Sequence, residues 1–418
     1  MEYIQPALGF IVLVSLALVF SSDIKAVKIK YITIAMLLQI GLALLFIKLP
    51  QSTWLFEKLS VVVLSLKEAN DFGVQFVFGY LSDGAPNAPF AVTDPSKTFI
   101  FAFAGLSLVI FMSALSALLW HMGIMPAIVN ALSLLFKKPL DVGGPVGLSA
   151  TANVFLGQLE APLLVRPYLG KMTRNELLIT MTIGMSTIAG SVMVIFTSML
   201  MPIYGPGLIG HFISASILSV PAGIMFANIM IPPEGKTEEL EGEDKNKLYS
   251  SSADAISQGT QSGIEVFINV AGLLIVVLAF VYLINLVLGV FPAVNGQPLS
   301  LELILGYLFA PIAWCMGIPW AEAQLAGSLL GVKTILNEFV AYVNLAAIDA
   351  SQLSEKSRLI MLYGLCGFAN LSSVGILLSG IGTMIPERKD DLIAVSGKAL
   401  IGATLASCFT GLVVGVIS

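Results

Sequence analysis

Eight apolar runs of about membrane-spanning length recur along the 418 residues of this chain. They cover residues 4–20, 31–49, 99–120, 177–201, 208–231, 266–290, 359–384 and 392–417. A helix needs about 20 predominantly apolar residues to cross a bilayer, and lipid admits only helices or closed barrels because it cannot hydrogen-bond the backbone. Charged residues make up 11% of the chain, whereas soluble domains carry about 25%. The sequence therefore predicts an all-α polytopic membrane protein with eight transmembrane helices.

The chain lacks the residue patterns that mark most enzymes and nucleic-acid-binding proteins. Its cysteines lie scattered in apolar segments without CxxC spacing, which indicates neither a disulfide framework nor a metal knuckle. Its histidines are far apart and no HExxH motif occurs, so a zinc site is not predicted. No basic face indicates nucleic acid as a partner. The sequence predicts a protein that is not an enzyme and binds no nucleic acid.

The distribution of lysine and arginine predicts how the chain is oriented in the lipid bilayer. These residues concentrate in short loops after the first, third and fifth apolar runs and before the last one. By the positive-inside rule such loops face the cytoplasm, which places both termini outside. The segment 49–97 fits less cleanly because it carries Lys58, Lys67 and Lys97. Its amphipathic pattern predicts an interfacial helix in the headgroup plane, followed by a periplasmic loop.

Two further apolar segments do not fit as simple spans. Residues 142–170 carry several glycines and prolines around Glu160, and residues 317–347 carry Pro319 and several glycines before Glu338. Both must end on the side where they begin if the number of spans and the charge rule are to agree. Irregular backbone at membrane depth is tolerated only where protein or a water-filled cavity satisfies it. We predict that both segments are re-entrant hairpins.

The order of these elements repeats along the chain. A hairpin, a polar connector and an apolar helix broken by small polar residues occur twice, with the breaks near 186–190 and 370–373. One hairpin enters from the cytoplasm and the other from outside, which predicts an inverted repeat with broken helices, as in many secondary transporters. The predicted divisions are 1–48 for the first two transmembrane helices, 49–97 for the interfacial helix and periplasmic loop, 98–141 for the third helix and a connector, 142–231 for the first repeat with the fifth helix, 232–260 for an acidic cytoplasmic loop, 261–300 for a long sixth helix and 301–418 for the second repeat with the last helix.

Polar residues within the apolar segments point to function. An ionisable group at membrane depth costs about 3 kcal/mol or more, so Glu160 and Glu338 require polar partners. Together with Gln158, Asn370 and Ser373 they offer donors and acceptors on an apolar background. Such a set suits a neutral, polyhydroxylated or heterocyclic solute. For the Gln, Asn and Ser side chains, hydrogen bonding between helices purely for packing is the alternative.

Two oxygen-bearing residues in the first repeat indicate a cation. Asn153 and Thr187, with freed carbonyls nearby, resemble the oxygen set that broken helices offer to Na+. Phe368, beside Asn370, either stacks on a flat ring or fills the core.

Three strings of the sequence match one known family in the correct order. They run from Gly157 to Leu163 (GQLEAPL), from Asn337 to Tyr342 (NEFVAY) and from Gly367 to Ser373 (GFANLSS). They resemble the hallmark motifs of the concentrative nucleoside transporters, and the resemblance covers essentially the whole chain. It implies a bacterial-type symporter of the inner membrane that assembles as a homotrimer and drives nucleoside uptake with a cation gradient.

The resemblance also implies roles for individual residues. Gln158 and Glu160 would face the nucleobase, whereas Glu338, Asn370 and Ser373 would hold the ribose hydroxyls. The remaining substrate-binding positions that it implies are Gly157, Leu159, Val192 and Phe368. The implied Na+ ligands are the side chains of Asn153 and Thr187 and the carbonyls of Leu156 and Ile188.

Leu159 stands where pyrimidine-transporting relatives usually have Thr or Ser. Leucine removes a hydrogen-bonding group and enlarges the apolar wall, so we expect a shift toward purine nucleosides. We expect Na+ to be the coupling ion because some proton-driven relatives lack the amide that Asn153 supplies. The alternatives are a proton-coupled nucleoside symporter, an inverted-repeat symporter for another small polar solute such as an amino acid, a passive channel, and an intramembrane enzyme that uses Glu160 and Glu338 as an acid–base pair.

Overall fold

The computed structural model describes residues 4–82, 89–93, 98, 100–205, 207–237, 248–294, 296, 298–349 and 351–418. Within these residues the regular elements are helices, as expected for a chain that must satisfy its own backbone in lipid. Positions 83–88 and 94–97 of the predicted periplasmic loop, and positions 238–247 of the predicted acidic loop, lie outside the described residues. The predicted all-α fold is confirmed.

Five helices form the N-terminal part that the structure describes. They are α1 (Ile4–Val19), α2 (Ile29–Lys48), α3 (Pro50–Phe78), α4 (Leu108–His121) and α5 (Ile124–Leu140). A π-helical segment, Ala102–Leu106, leads into α4. Pro50 starts α3 at a position where its missing N–H would have had no intrahelical partner. The helix α3 covers the segment predicted as interfacial.

Hairpin 1 and the first broken helix follow. Hairpin 1 contains α6 (Gly144–Ala152), α7 (Glu160–Leu163) and α8 (Arg166–Leu169), the first broken helix consists of α9 (Arg174–Ser186) and α10 (Gly190–Tyr204), and α11 is Leu208–Met230. Thr173 and Glu176 form a reciprocal capping box that starts α9. The helix therefore begins immediately after the hairpin, and its break leaves residues 187–189 outside regular helix.

The second half begins with one long helix and then repeats the hairpin and break. It begins with α12 (Ser252–Leu288) and α13 (Leu301–Cys315). Hairpin 2 consists of α14 (Trp320–Ile335) and α15 (Glu338–Ala347), and the second broken helix consists of α16 (Glu355–Gly364) and α17 (Leu371–Met384). The last helix is α18 (Lys389–Ile417). Between α13 and α14 the chain bends by 116°. Asn337 and Asn370 cap α15 and α17 because each side chain accepts a backbone N–H three residues on.

Three of the described helices, α5, α12 and α13, differ from the predicted divisions of the chain. Ser251 caps α12 by accepting the N–H of Asp254, so α12 begins inside the predicted acidic loop, 232–260. It ends at Leu288, before the predicted end of the sixth helix at residue 300. The helix α5 occupies the segment predicted as a connector, and α13 was expected neither as a span nor as part of a hairpin.

Two of the eight predicted spans do not fall on a described helix that is long and apolar enough to cross a membrane. Among the described residues, six helices are long and apolar enough to cross a membrane, or up to seven if the bent pair α13 and α14 counts as one span. The predicted first span falls on the shorter apolar helix α1. The predicted seventh span is divided between α16 and α17, because the chain breaks at 365–370. The first predicted span is thus a helix of only 16 residues, and the seventh is interrupted by a break.

Burial separates central helices from peripheral ones. The most apolar stretch of α11 is 94% buried inside the molecule, that of α9 with α10 is 78% buried, and that of α18 with the turn before it is 72% buried. In contrast, the values are 22% for α2 and 11% for α12. The broken helix α9–α10 therefore lies in the packed centre with α11 and α18, while α12 lies at the edge.

Candidate functional site

The breaks in the helices are held together by backbone hydrogen bonds inside the molecule. The break of hairpin 1 spans 153–159, and those of the two broken helices span 187–189 and 365–370. The N–H of Gly190 donates to the carbonyl of Phe155 at 2.9 Å, and the N–H of Phe368 donates to the carbonyl of Thr187 at 3.4 Å. Peptide groups that the breaks release thus find partners on other elements, as buried backbone groups must.

Gly367 lets the two broken helices approach each other. Its φ of +131° lies in a region that side chains rarely adopt. A Cβ at this position would also lie 2.8 Å from the carbonyl carbon and oxygen of Ser186. Glycine alone tolerates both the conformation and the approach. The string that starts at Gly367 therefore begins with the residue that this contact requires.

Glu338 and Asn370 form the polar centre of the second half. Asn370 Nδ2 donates to Glu338 Oε2 at 3.0 Å, and Asn370 Oδ1 accepts the backbone N–H of Ser373 at 2.8 Å. The exposed fractions are 7% for Glu338, 3% for Asn370 and 3% for Ser373. Glu338 lies in the first turn of α15, where the positive end of the helix dipole favours a carboxylate. Three of the predicted substrate-binding residues thus form one hydrogen-bonded group.

Aromatic packing positions the second arm of hairpin 2. The ring of Phe339 lies 4.5 Å from that of Phe101 and 5.9 Å from that of Phe196, centroid to centroid. The ring of Tyr342 lies 4.6 Å from that of Phe196. Such pairs add about 0.5–1.5 kcal/mol beyond their buried area. Glu338 is therefore carried on an arm that is packed against α10.

The tip of hairpin 1 is more open than the tip of hairpin 2. Gly157, Gln158 and Leu159 are half-buried and Glu160 is exposed. The Glu160 carboxylate folds back over Gly157, where a Cβ would lie 2.1 Å from Glu160 Oε2. The side-chain oxygen of Gln158 is buried without a hydrogen-bond partner. Glu160 is exposed, whereas Glu338 is buried and accepts a hydrogen bond from Asn370, so the two predicted carboxylates occupy different surroundings.

Leu159 reaches from hairpin 1 to the second broken helix. A Cβ on Gly380 of α17 would lie 2.3 Å from Leu159 Cδ2, so the leucine side chain rests directly on the glycine. The apolar member of the GQLE string is thus in contact with α17, the helix that Asn370 caps.

Asn153 carries a buried oxygen that lacks a partner. It is fully buried, and its Nδ2 donates to the carbonyl of Ser149 at 3.1 Å, which leaves Oδ1 without a hydrogen bond. A Cβ built on Gly184, in the last turn of α9, would lie 3.8 Å from this oxygen. Buried acceptors without partners are rare and require an explanation. A cation with oxygen ligands fits this donor set, because an amide oxygen supplies a lone pair and the end of α9 supplies carbonyls.

The other predicted residues lie in or next to the same breaks. Thr187 and Ile188 are buried in the break of the first broken helix, where the N–H of Ile188 donates to Ser216 Oγ at 3.3 Å. Leu156 lies in the break of hairpin 1, and its N–H donates to the carbonyl of Ala152 at 2.8 Å. Val192, in the first turn of α10, and Phe368, in the second break, are half-buried.

Models of known families match most of this chain. A model described as Na+ dependent nucleoside transporter N-terminus matches residues 8–81, one described as Nucleoside recognition matches 103–203, and one described as Na+ dependent nucleoside transporter C-terminus matches 211–415.

Full-length relatives and a solved structure agree with these matches. The nucleoside permease NupC of Helicobacter pylori is 34% identical over 412 residues, covering 97% of this chain and 96% of the permease. Human solute carrier family 28 member 3 is 33% identical over 431 residues, covering 98% of this chain and 59% of the human protein. The structure of CNTnw in an inward-facing substrate-bound state matches with a TM-score of 0.90 and 33% identity, covering 100% of this chain and 98% of CNTnw.

The chain belongs to the concentrative nucleoside transporter family. Members of this family are membrane transporters and not enzymes, which confirms the resemblance and the expected protein class. A CNTnw variant in an outward-facing state also matches with a TM-score of 0.90.

One buried residue of this concentrative nucleoside transporter is not among those that the sequence pattern predicts. Lys333 of α14 is 1% exposed, and its Nζ donates to the carbonyl of Gly364 at 3.0 Å. The sequence does carry a signal, since a lysine in a membrane-depth segment is as costly as a carboxylate.

Proposed function

We propose that this transporter imports nucleosides across the bacterial inner membrane together with Na+, by alternating access to a site between the two hairpins and the two broken helices. The observation that carries the substrate class is the buried pair of Glu338 and Asn370, whose hydrogen bond is 3.0 Å long. A carboxylate accepts and an amide donates, which together match the vicinal hydroxyls of a ribose.

The charge at this centre favours a neutral solute over an anionic one. Two helices, α15 and α17, begin at the site, and their N-termini would attract a negative charge. Glu338 already places a carboxylate at one of them, and the side chain of Asn370 caps the other. An amino acid would bring its own carboxylate close to Glu338, where like charges repel. A nucleoside brings hydroxyl groups instead.

The unpartnered Oδ1 of Asn153 supports Na+ as the coupling ion. Asn153 and Thr187 would hold the ion with their side chains, and Leu156 and Ile188 with their carbonyls. The ion would supply the positive charge that the buried amide oxygen and the carbonyl end of α9 lack. Proton coupling is the alternative. It would require protonation of another group and would leave the Asn153 oxygen without a role.

Leu159 supports a preference for purine nucleosides. Its half-buried side chain places an apolar group beside Gln158, where a hydroxyl would otherwise bond the base. Gln158 and Glu160 would face the base, with Val192 and Phe368 along its ring and Gly157 allowing the Glu160 carboxylate to fold back. In the membrane we place both termini on the periplasmic side and three copies of the chain in a homotrimer.

Uptake of radiolabelled adenosine into proteoliposomes tests the proposal. We expect accumulation above the outside concentration with an inward Na+ gradient, and loss of accumulation when choline replaces Na+. Uptake that ignores Na+ but collapses with a protonophore would establish proton coupling instead. Competition by unlabelled inosine, guanosine, uridine and cytidine then tests the base preference, and pyrimidines as potent as purines would contradict it.

A further inference from the structure

Lys333 joins hairpin 2 to the second broken helix. Its side chain is 1% exposed, and its Nζ lies 3.0 Å from the carbonyl oxygen of Gly364, the last residue of α16. A charged side chain is rarely retained in such surroundings unless it is paired or has a role in function. Neither the substrate site nor the Na+ site proposed above uses this ammonium.

The end of α16 is a place that calls for donors. The last carbonyls of a helix have no intrahelical partner and carry the negative end of the helix dipole. Two neighbouring carbonyls receive neutral donors, since Tyr342 OH donates to Leu362 at 2.8 Å and Ser407 Oγ donates to Cys366 at 3.2 Å. Of these three donors to carbonyls at or just after the end of α16, only Lys333 brings a positive charge.

The corresponding position in the first half differs in one respect. Asn153 directly follows the first arm of hairpin 1 and Lys333 lies in the first arm of hairpin 2. Each approaches the last turn of the half-helix that follows its hairpin. Asn153 directs an unpartnered oxygen toward Gly184 of α9, whereas Lys333 directs an ammonium at Gly364 of α16. The first half therefore presents an acceptor that needs a cation, and the second half presents the cation itself.

A second hydrogen bond, between residues of the proposed nucleoside site, joins the same two elements as the bond of Lys333. Lys333 lies just before the turn of hairpin 2 and Glu338 just after it. Gly364 is the last residue before the second break and Asn370 is the last residue within it. Lys333 donates to Gly364, and Asn370 donates back to Glu338 at 3.0 Å. The hairpin and the broken helix are thus joined at two points.

We propose that the Lys333 ammonium is a permanently attached cation that holds hairpin 2 to the end of α16, in the way that an exchangeable Na+ holds hairpin 1 to the end of α9. Lys333 is then a positioning residue for nucleoside binding, and the protein needs only one exchangeable Na+ per nucleoside. The comparison with the first half rests on the Na+ site of the proposed function. The effect of Lys333 on nucleoside affinity is independent of that Na+ site.

The test measures binding of tritiated adenosine and tritiated uridine to the purified full-length protein over a range of Na+ concentrations. Lys333→Met removes both charge and donor, whereas Lys333→Gln keeps a donor and removes only the charge. The matched control is Lys398→Met, because Lys398 of α18 also donates to the carbonyl at a helix end, that of Met230, at 3.4 Å. Thermal unfolding of each variant shows whether it is folded, and Lys333→Gln carries the test if Lys333→Met does not fold.

We expect both Lys333 variants to weaken the Kd of the better-bound nucleoside at least tenfold, with the half-saturating Na+ concentration within threefold of wild type. The Lys398 variant should stay within twofold for both, and wild type should respond to Na+ with a Hill coefficient near one. A Lys333→Gln protein that binds nucleoside like wild type would show that a donor suffices and overturn the inference. A wild-type Hill coefficient near two would also overturn it, whereas a wild type indifferent to Na+ would refute the coupling proposal and leave the effect of Lys333 on affinity as a separate result.

Discussion

The two halves of the site differ in how completely their polar groups are paired. In the first half, Asn153 Oδ1 and Gln158 Oε1 are buried without hydrogen-bond partners. In the second half, Glu338 bonds to Asn370 and Lys333 bonds to Gly364. Buried polar groups without partners are costly, and groups with partners rigidify their surroundings. We infer that the first half is completed by what it binds, while the second half is a prepared surface that a ligand joins.

The largest expected effect separates the two carboxylates. Glu338→Gln should lower kcat/KM for nucleoside uptake about 100-fold, because hydrogen bonds from ligand hydroxyls to a buried carboxylate are worth about 1.5–3 kcal/mol each. Glu160→Gln should lower kcat/KM only about tenfold, because Glu160 is exposed and water weakens its interactions. Initial rates of uptake in proteoliposomes, normalised to reconstituted protein, give both values.

The half-buried Glu322 of hairpin 2 provides the control for this pair. It accepts a hydrogen bond from Ser354 Oγ at 3.0 Å, outside the site. Glu322→Gln should therefore leave uptake within twofold of wild type. If Glu160→Gln proved as damaging as Glu338→Gln, the inferred contrast between the first half, completed by its ligand, and the second half, with its polar groups already paired, would be wrong.

The next effect separates a helix cap from a binding group. Asn337→Ala and Asn370→Ala should each destabilise the protein by about 1 kcal/mol through loss of a cap, seen as a lower Tm. Asn370 also donates to Glu338, so Asn370→Ala should raise the nucleoside KM about tenfold more than Asn337→Ala does. Equal KM values in the two variants would mean that Asn370 acts only as a cap.

A smaller effect concerns the ion and the first half alone. Asn153→Ala should raise the Na+ concentration for half-maximal uptake about tenfold, the factor that corresponds to about 1.4 kcal/mol for one lost oxygen ligand. Ser149→Ala is the neighbouring control, because its hydroxyl is also buried without a partner. Uptake measured from 0.1-fold to 10-fold of the wild-type half-saturating Na+ distinguishes them. A matching shift in both variants would move the proposed ion away from Asn153.

The smallest effect concerns the base. Leu159→Thr should shift the ratio of uridine to adenosine uptake toward uridine by about fivefold, since one hydrogen bond contributes about 0.5–1.5 kcal/mol. Leu159→Met, which conserves volume without adding a hydroxyl, should leave the ratio near that of wild type. A ratio that moves equally in both variants would show that the packing of Leu159 on Gly380, and not its chemistry, sets the preference.

The length of the apolar runs and the polar residues that interrupt them predict the helices and breaks of this fold better than they predict its contacts. The breaks at 187–189 and 365–370 fall near the polar interruptions of apolar runs because a helix in lipid can stop only where other groups satisfy its ends. The amphipathic α5 is missed because its apolar stripe is too short to register as a span. The position of Lys333 in an apolar segment marks it as unusual, but the sequence does not indicate its partner, because that partner is a backbone carbonyl.

The length of α12 has a consequence for the lipid that surrounds the transporter. Its 37 residues rise about 1.5 Å each, giving a rod of about 55 Å, whereas the hydrocarbon layer is about 30 Å thick. The excess must project into the headgroups and water or be absorbed by tilting. Only 11% of its most apolar stretch is buried within the chain, so lipid or the other copies of the proposed homotrimer must cover the rest of α12.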